Sequence, residues 1–148
     1  MITYQVEKYS NCVEELKKLY PEHYEELSVT KSIPLEPNYE VYKYIEDAGI
    51  LKVVTCRNDE DLIGYILFIV TPHLHYKSCI TAVEDIYFVR KDYRKGRTGI
   101  KLFQFAEKYL KEQGVHRVIY GTKVHLDNSK LFEYLGYSFF EKLYSKMI

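Results

Sequence analysis

The sequence contains no tryptophan, few cysteines and no surplus of either charge, and each shortage removes a class of function. With 21 basic and 21 acidic side chains the formal charge is zero. No global field therefore draws nucleic acid, and any electrostatic function has to be local. Cys12, Cys56 and Cys79 stand far apart, outside any CxxC or Cys/His metal spacing, and read as free thiols of a reducing compartment. No stretch approaches the ~18 apolar residues of a membrane span. The opening MITYQVEKYS has no apolar core behind a basic start, so the expectation is a soluble, cytoplasmic protein without a membrane partner. A second domain has no room: 148 residues, read as one domain over 1–148, suffice for one core that buries about two-thirds of the unfolded surface. What the chain does have is 16 tyrosines, a side chain suited to half-buried positions with one wet edge, as in clefts and interfaces.

Residues 81–111 organise the rest. TAVEDIYFV is a β-branched and aromatic run without glycine or proline, and IKLFQFAEKYLK repeats apolar residues at helical spacing, so the chain turns between them. That turn is Arg94-Lys95-Gly96-Arg97-Thr98-Gly99. A turn running into a helix leaves the first N–H groups without backbone partners, and the aligned peptide dipoles add positive potential there. A phosphate suits such a place, and Lys95, Arg97 and Lys101 strengthen the preference. The turn is therefore read as the holder of a coenzyme's pyrophosphate.

In chain order, residues 2–7 alternate as a strand, and Asn11 with Glu14 offers a capping box for the next helix. Pro21 is expected to interrupt that helix at Tyr20. Residues 28–37 read as loop, and Asn38 starts a helix that Gly49 stops. A hairpin follows over 50–57 and 62–70, with Gly64 marking a bulge or a close backbone approach. Gly114 ends the long helix, and residues 117–122 are expected to pair in parallel with the strand over 83–89 after a helical crossover. A short helix from Asp127 or Asn128 to Gly136 and a final strand over 137–146 complete the order. The fold class is α/β (α+β), a mixed sheet with helices on its faces.

The organising stretch, this order of elements and the closing LFEYLGY together resemble the GNAT superfamily of N-acetyltransferases. That family's signature is a strand, the pattern Gln/Arg-x-x-Gly-x-Gly/Ala and a helix that binds the pyrophosphate of acetyl-CoA; LFEYLGY is similar to its LYEKLGF. The likeness covers nearly the whole chain and is similar in size to small members found in phage genomes. It implies a mostly antiparallel sheet of about six strands, with a parallel pair splayed at the coenzyme site. Arg94 matches the first signature position and Gly99 the last, while Arg97 stands where glycine is usual. Gly96, one position earlier, is expected to take the unusual torsion instead. The resemblance implies Arg94, Lys95, Gly96, Arg97, Thr98, Gly99 and Ile100 at the diphosphate, Val89 along the pantetheine arm, and the Tyr87 or Phe88 N–H at the reacting oxygen.

Acetyl transfer needs a neutral amine, and an alkylamine with a pKa of about 10.4 is protonated at neutral pH by roughly 3.4 units, or about 4.6 kcal/mol. A base or desolvation has to cover that. The run Glu84-Asp85-Ile86-Tyr87 is similar to the Glu-Asp segment of polyamine-acetylating members, where the glutamate draws the proton through water. Counting back from Val89 without a gap favours Asp85; one extra residue, a bulge, selects Glu84. The family's general acid, a tyrosine, falls on Phe132, which has no proton to give, so Tyr134, Tyr120 and His125 are the substitutes. His73 and His75 lack further ligands at fitting spacing, and no metal is expected. Glu14, Glu15, Glu22, Glu25 and Glu26 form an acidic run that either favours a cationic acceptor or is a solvated face. The final strand leaves no room for the family's closing hairpin, so the acceptor side is open or completed by a second subunit. The leading expectation is an acetyl-CoA-dependent N-acetyltransferase acting on a small-molecule or peptide amine. Its rival is a degenerate domain that binds acyl-CoA or a protein partner without catalysis.

Overall fold

A computed structural model describes all 148 residues. The elements are β1 (Ile2–Glu7), α1 (Tyr9–Leu27), α2 (Tyr39–Asp47), β2 (Leu51–Asn58), β3 (Asp61–Pro72), β4 (Ile80–Val89), α3 (Thr98–Glu112), β5 (Arg117–Ile119) and α4 (Ser129–Tyr134). The strands lie in the order β1-β2-β3-β4-β5, antiparallel except for the parallel β4–β5 pair. Residues Tyr65 to Phe68 show why β3 reads as an unbroken apolar run. Tyr65 and Leu67 face α1 with Leu16, Tyr20 and Phe88, whereas Ile66 and Phe68 face α3 and α4 with Leu102, Phe103 and Phe132. A strand covered on both faces has no polar side to alternate with. No helix is long and apolar enough to cross a membrane.

Several sequence expectations fail for identifiable reasons. Pro21 lies inside α1 and does not interrupt it. Leu16, Leu19, Tyr20 and His23, on both sides of the proline, are buried against the sheet, and docking that face outweighs a helix-interior proline's cost of about 3 kcal/mol. Asn11 caps nothing: α1 begins at Tyr9 after Lys8, without a side-chain cap, because burial of Tyr9 and Cys12 pulls the first turn onto the sheet. β5 stops at Ile119 and not at residue 122. Beyond it the Gly121 peptide is spent on the Glu84 and Tyr87 side chains. The sheet has five strands, and residues 138–148 form none. Their apolar groups fall at both parities, Phe139, Leu143 and Met147 against Phe140, Tyr144 and Ile148, so a strand there has no single face to bury; all six are exposed.

Two register slips position the site. One lies between Cys56 and Arg57, opposite Gly64, where an added Cβ would stand 2.9 Å from the Phe88 carbonyl oxygen. Glycine is needed there for close approach. The other lies between Leu67 and Phe68: Leu67 pairs with Ile86 and Phe68 with Glu84, leaving Asp85 as the extra residue of a bulge in β4.

Candidate active site

β4 changes character along its length. Thr81, Ala82 and Val83 pair with β3 on one side and with Arg117, Val118 and Ile119 on the other; from Glu84 onward only the β3 ladder continues. The Arg90 N–H donates to the Ile63 carbonyl across that ladder. Because successive backbone groups alternate, the N–H and C=O of Val89 and Tyr87 face the gap left by β5. The gap opens into a cavity of ≈ 280 Å³ between the end of α1, the open edge of β4, the start of α3 and the loop before α4.

Of the residues expected at the coenzyme, Tyr87, Phe88, Val89, Arg94, Gly96, Gly99 and Ile100 line this cavity. Lys95 and Arg97 are exposed beside it, and Thr98 is buried. Gly96 has φ +94 and so takes the left-handed torsion, which leaves Arg97 with an ordinary φ of −106 as the residue before α3. No side chain caps that helix start and no acid lies in its first turn. Its N–H groups and dipole are therefore uncompensated by the protein itself. Arg94 is engaged already. Its Nε donates to the Val89 carbonyl at 2.7 Å, an Nη donates to Glu26 at 2.6 Å, and the guanidinium lies 5.4 Å from the Phe88 ring centre.

The adjacent carboxylates point to different surroundings. Glu84 is half-buried and accepts the Gly121 N–H at 2.9 Å. Burial raises its carboxyl to about 7, with the Asp85 charge adding to the rise against the opposing Gly121 bond and Lys123. The Gly121 carbonyl in turn accepts the Tyr87 hydroxyl at 2.9 Å, and that oxygen accepts Asn128 Nδ2–H at 3.2 Å. Burial pushes the Tyr87 phenol up, so it stays protonated. Asp85 is exposed and accepts the Tyr42 hydroxyl of α2, on the other face of the sheet.

Neither carboxylate is on the cavity wall, and of the remaining candidates only Glu26 is. Tyr134 is 65% exposed. His125 bonds through Nε2 to the Glu26 carbonyl at 2.7 Å, tying the loop before α4 to the end of α1. Phe132 is buried and stacks on Tyr120, whose hydroxyl is buried without a partner. The acidic run is largely paired, Glu14 with Lys17, Glu15 with Arg57, Glu25 with Lys31 and Glu26 with Arg94, which favours the solvated-face reading over an acidic wall. His73 Nδ1 accepts the His75 N–H, and no group of three or more His, Cys, Asp or Glu stands close enough to hold an ion.

Sequence reasoning missed His23 and Asn128. His23 is 5% exposed, lines the cavity and stacks on Phe88 at 4.9 Å. The signal was there to read: Leu16, Leu19, Tyr20 and His23 follow the i, i+3, i+4, i+7 stripe that faces a core.

A model of the acetyltransferase (GNAT) family matches residues 12–137. Among solved structures, the chain is similar to the ribosomal-protein-alanine N-acetyltransferase of Brucella melitensis biovar Abortus 2308, with TM-score 0.74 and 14% identity over 100% of this chain and 99% of that one. An aminoglycoside acetyltransferase from an uncultured soil metagenomic sample, in complex with trehalose, gives TM-score 0.73 and 13% identity over 99% and 97% of the two chains. A predicted acetyltransferase with acetyl-CoA from Clostridium acetobutylicum gives 0.71 and 11% over 99% and 96%. At such identities these likenesses concern the fold. No curated protein matches the sequence.

Proposed function

The chain belongs to the acetyltransferase (GNAT) family, and from that membership we propose that it transfers an acetyl group directly from acetyl-CoA to a primary amine, with Glu84 as the base. The observation that carries the assignment is the half-buried Glu84 carboxyl, held at about 7 where β4 and β5 part. A base is most effective when its pKa lies near the working pH. The bulge at Asp85 supplies the extra residue that aligns Glu84 with the glutamate of the polyamine-acetylating members, and the Tyr42 bond occupies Asp85 on the far face.

The diphosphate lies against the uncapped start of α3, with Gly96 and Gly99 leaving room for it and Lys95 and Arg97 adding charge. When bound, the coenzyme supplies an activated acyl group along the open edge of β4. The amine nitrogen attacks the thioester carbon, the new C–N bond forms, and the oxygen takes negative charge. The Tyr87 N–H faces the gap and stabilises that oxygen, with Val89 next along the arm. The nitrogen's proton passes through water to Glu84, and the C–S bond breaks with its electron pair leaving on sulfur. A thiol with a pKa of about 8.5 leaves without an acid, so Phe132 at the family's tyrosine position does not bar turnover.

The acceptor side we assign to a second copy of the chain: residues 138–148 carry exposed Phe139, Phe140, Leu143 and Tyr144 beyond the last element. Light scattering of the whole chain and of a chain ending at residue 137 is expected to show a dimer and a monomer. A monomer in both overturns that assignment.

The function is tested by supplying acetyl-CoA with polyamines, aminoglycosides, amino acids and peptides and following thiol release. Release with at least one acceptor, suppressed by Glu84→Gln, is expected. Undiminished release by that variant removes Glu84 as base. A second reading, a domain that binds acyl-CoA without catalysis, draws on the buried Phe132; tight coenzyme binding without turnover on any acceptor selects it.

A further inference from the structure

Among the buried side-chain nitrogens and oxygens of the cavity wall, one has no partner on the protein. His23 Nδ1 lies 2.8 Å from the Tyr65 hydroxyl, while Nε2, on the far side of the ring, is buried with no hydrogen-bond partner. The direction of the Nδ1 bond is fixed by what surrounds it. Tyr65 is fully buried, burial keeps its phenol protonated, and this is the only side-chain bond its hydroxyl makes. A buried O–H left undonated costs about 1–3 kcal/mol, so the phenol donates and Nδ1 accepts. The imidazole proton then sits on Nε2. Burial first, and the nearby Arg94 and Lys123 charges after it, lower the His23 pKa to about 4, so the ring is neutral at working pH. The result is a neutral N–H donor, its ring held by Phe88 on one face and by Tyr65 at the other nitrogen.

Leaving such a donor unpaired in a buried place is as costly as leaving the phenol unpaired. The one carboxylate that lines the cavity with it, Glu26, is taken by Arg94. Whatever enters the cavity brings the acceptor, and beside Phe88 and Leu27 a lone pair on an otherwise apolar group suits the place. Resting on the coenzyme reading above, we propose that His23 Nε2–H donates a hydrogen bond to a carbonyl oxygen of the bound acyl-thioester, with Tyr65 as the positioning residue that fixes its tautomer. Two carbonyl sources share this chemistry, the thioester itself and the amides of the carrier arm. In the first case the bond strengthens as the oxygen gains charge in the transition state; in the second it adds to binding alone.

The test combines calorimetry with NMR of full-length protein labelled with ¹⁵N-histidine, titrated with coenzyme A and with acetyl-CoA. The His23 Nε2 resonance is expected to be of the protonated type in the free protein and to move on binding. A larger movement with acetyl-CoA assigns the thioester carbonyl, and equal movement with both ligands assigns an arm amide. His23→Leu is expected to lower kcat/KM about tenfold, the fold-change of one ordinary hydrogen bond, through kcat for the thioester and through KM for the amide. His23→Gln, whose amide nitrogen reaches the same place, restores most of it. Tyr65→Phe is expected to leave the coenzyme bound while populating both ring tautomers. Coenzyme that binds with an unmoved Nε2 resonance overturns this inference and leaves the coenzyme reading standing. Failure of either ligand to bind at all overturns both.

Discussion

The two halves of β4 are the same strand in different surroundings. From Thr81 to Val83 every edge is paired, by β3 and by β5, and Thr81 and Ala82 are buried. From Glu84 to Val89 one edge is free, a bulge interrupts the register, and the backbone groups of Tyr87 and Val89 look into a cavity. The closed half holds the sheet together. In the open half a side chain and a loop peptide stand in for a neighbouring strand, Arg94 at the Val89 carbonyl and Gly121 at Glu84, which stands at the junction. A strand becomes chemically useful where its pairing stops, because only there can N–H groups and a half-desolvated carboxyl meet a ligand.

The largest expected effect breaks the open half. Glu84→Gln should lower kcat/KM by roughly 10²–10⁴, the usual contribution of a general base, and should remove a rate limb that rises with pH through about 7 in the parent. The same variant sharpens the comparison through stability. The folded carboxyl lies above its ordinary value of 4.5, so the folded state holds the proton more tightly, and stability falls as pH rises from there through about 7. Glu84→Gln is therefore expected to gain up to about 3 kcal/mol at pH 8 and nothing near pH 4, read from denaturant unfolding at both values. In the closed half, Ala82→Leu adds volume where exposure is 0%. It should cost about 1–3 kcal/mol of stability by overpacking while leaving coenzyme affinity unchanged in calorimetry.

Smaller still is Gly96→Ala. A Cβ there meets no atom within 4 Å, so its cost is the φ of +94 alone, about 1–2 kcal/mol, visible as a lower melting temperature and weaker coenzyme binding. Asp85→Asn comes last, with activity changed by less than roughly tenfold, the scale of one surface hydrogen bond. A loss with Asp85→Asn that matches the Glu84→Gln loss would reverse the assignment of the two carboxylates.

The parts legible in the sequence were those carried by local chemistry. Gly64 announced a close approach and Gly96 an unusual torsion, because a missing Cβ is a local fact with a local cause. The strand-turn-helix around Arg94 was legible for the same reason. What could not be read were outcomes of competition between distant segments. Pro21 stays helical because residues on β2, β3 and β4 reward that helix face. The proposal of Glu84 over Asp85 rests on a one-residue slip against β3 that no periodicity within β4 reveals. The expected 137–146 strand had β-forming residues, but their apolar groups fall at both parities and offer no single face to bury. His23 became a site residue only when Tyr65, 42 positions away, took its other nitrogen.

Arg94 occupies the Val89 carbonyl, a backbone acceptor that faces the gap, and at the same time bridges to Glu26. Coenzyme that uses that carbonyl must first displace a satisfied cation, so arrival is a substitution and not the filling of a hole. Salt loosens the Arg94–Glu26 latch and hastens that exchange, while it also screens the pull of Lys95 and Arg97 on an anionic ligand. The two influences oppose each other in the association rate, and stopped-flow traces over a range of ionic strength should fall off less steeply than the ligand's charge alone would dictate.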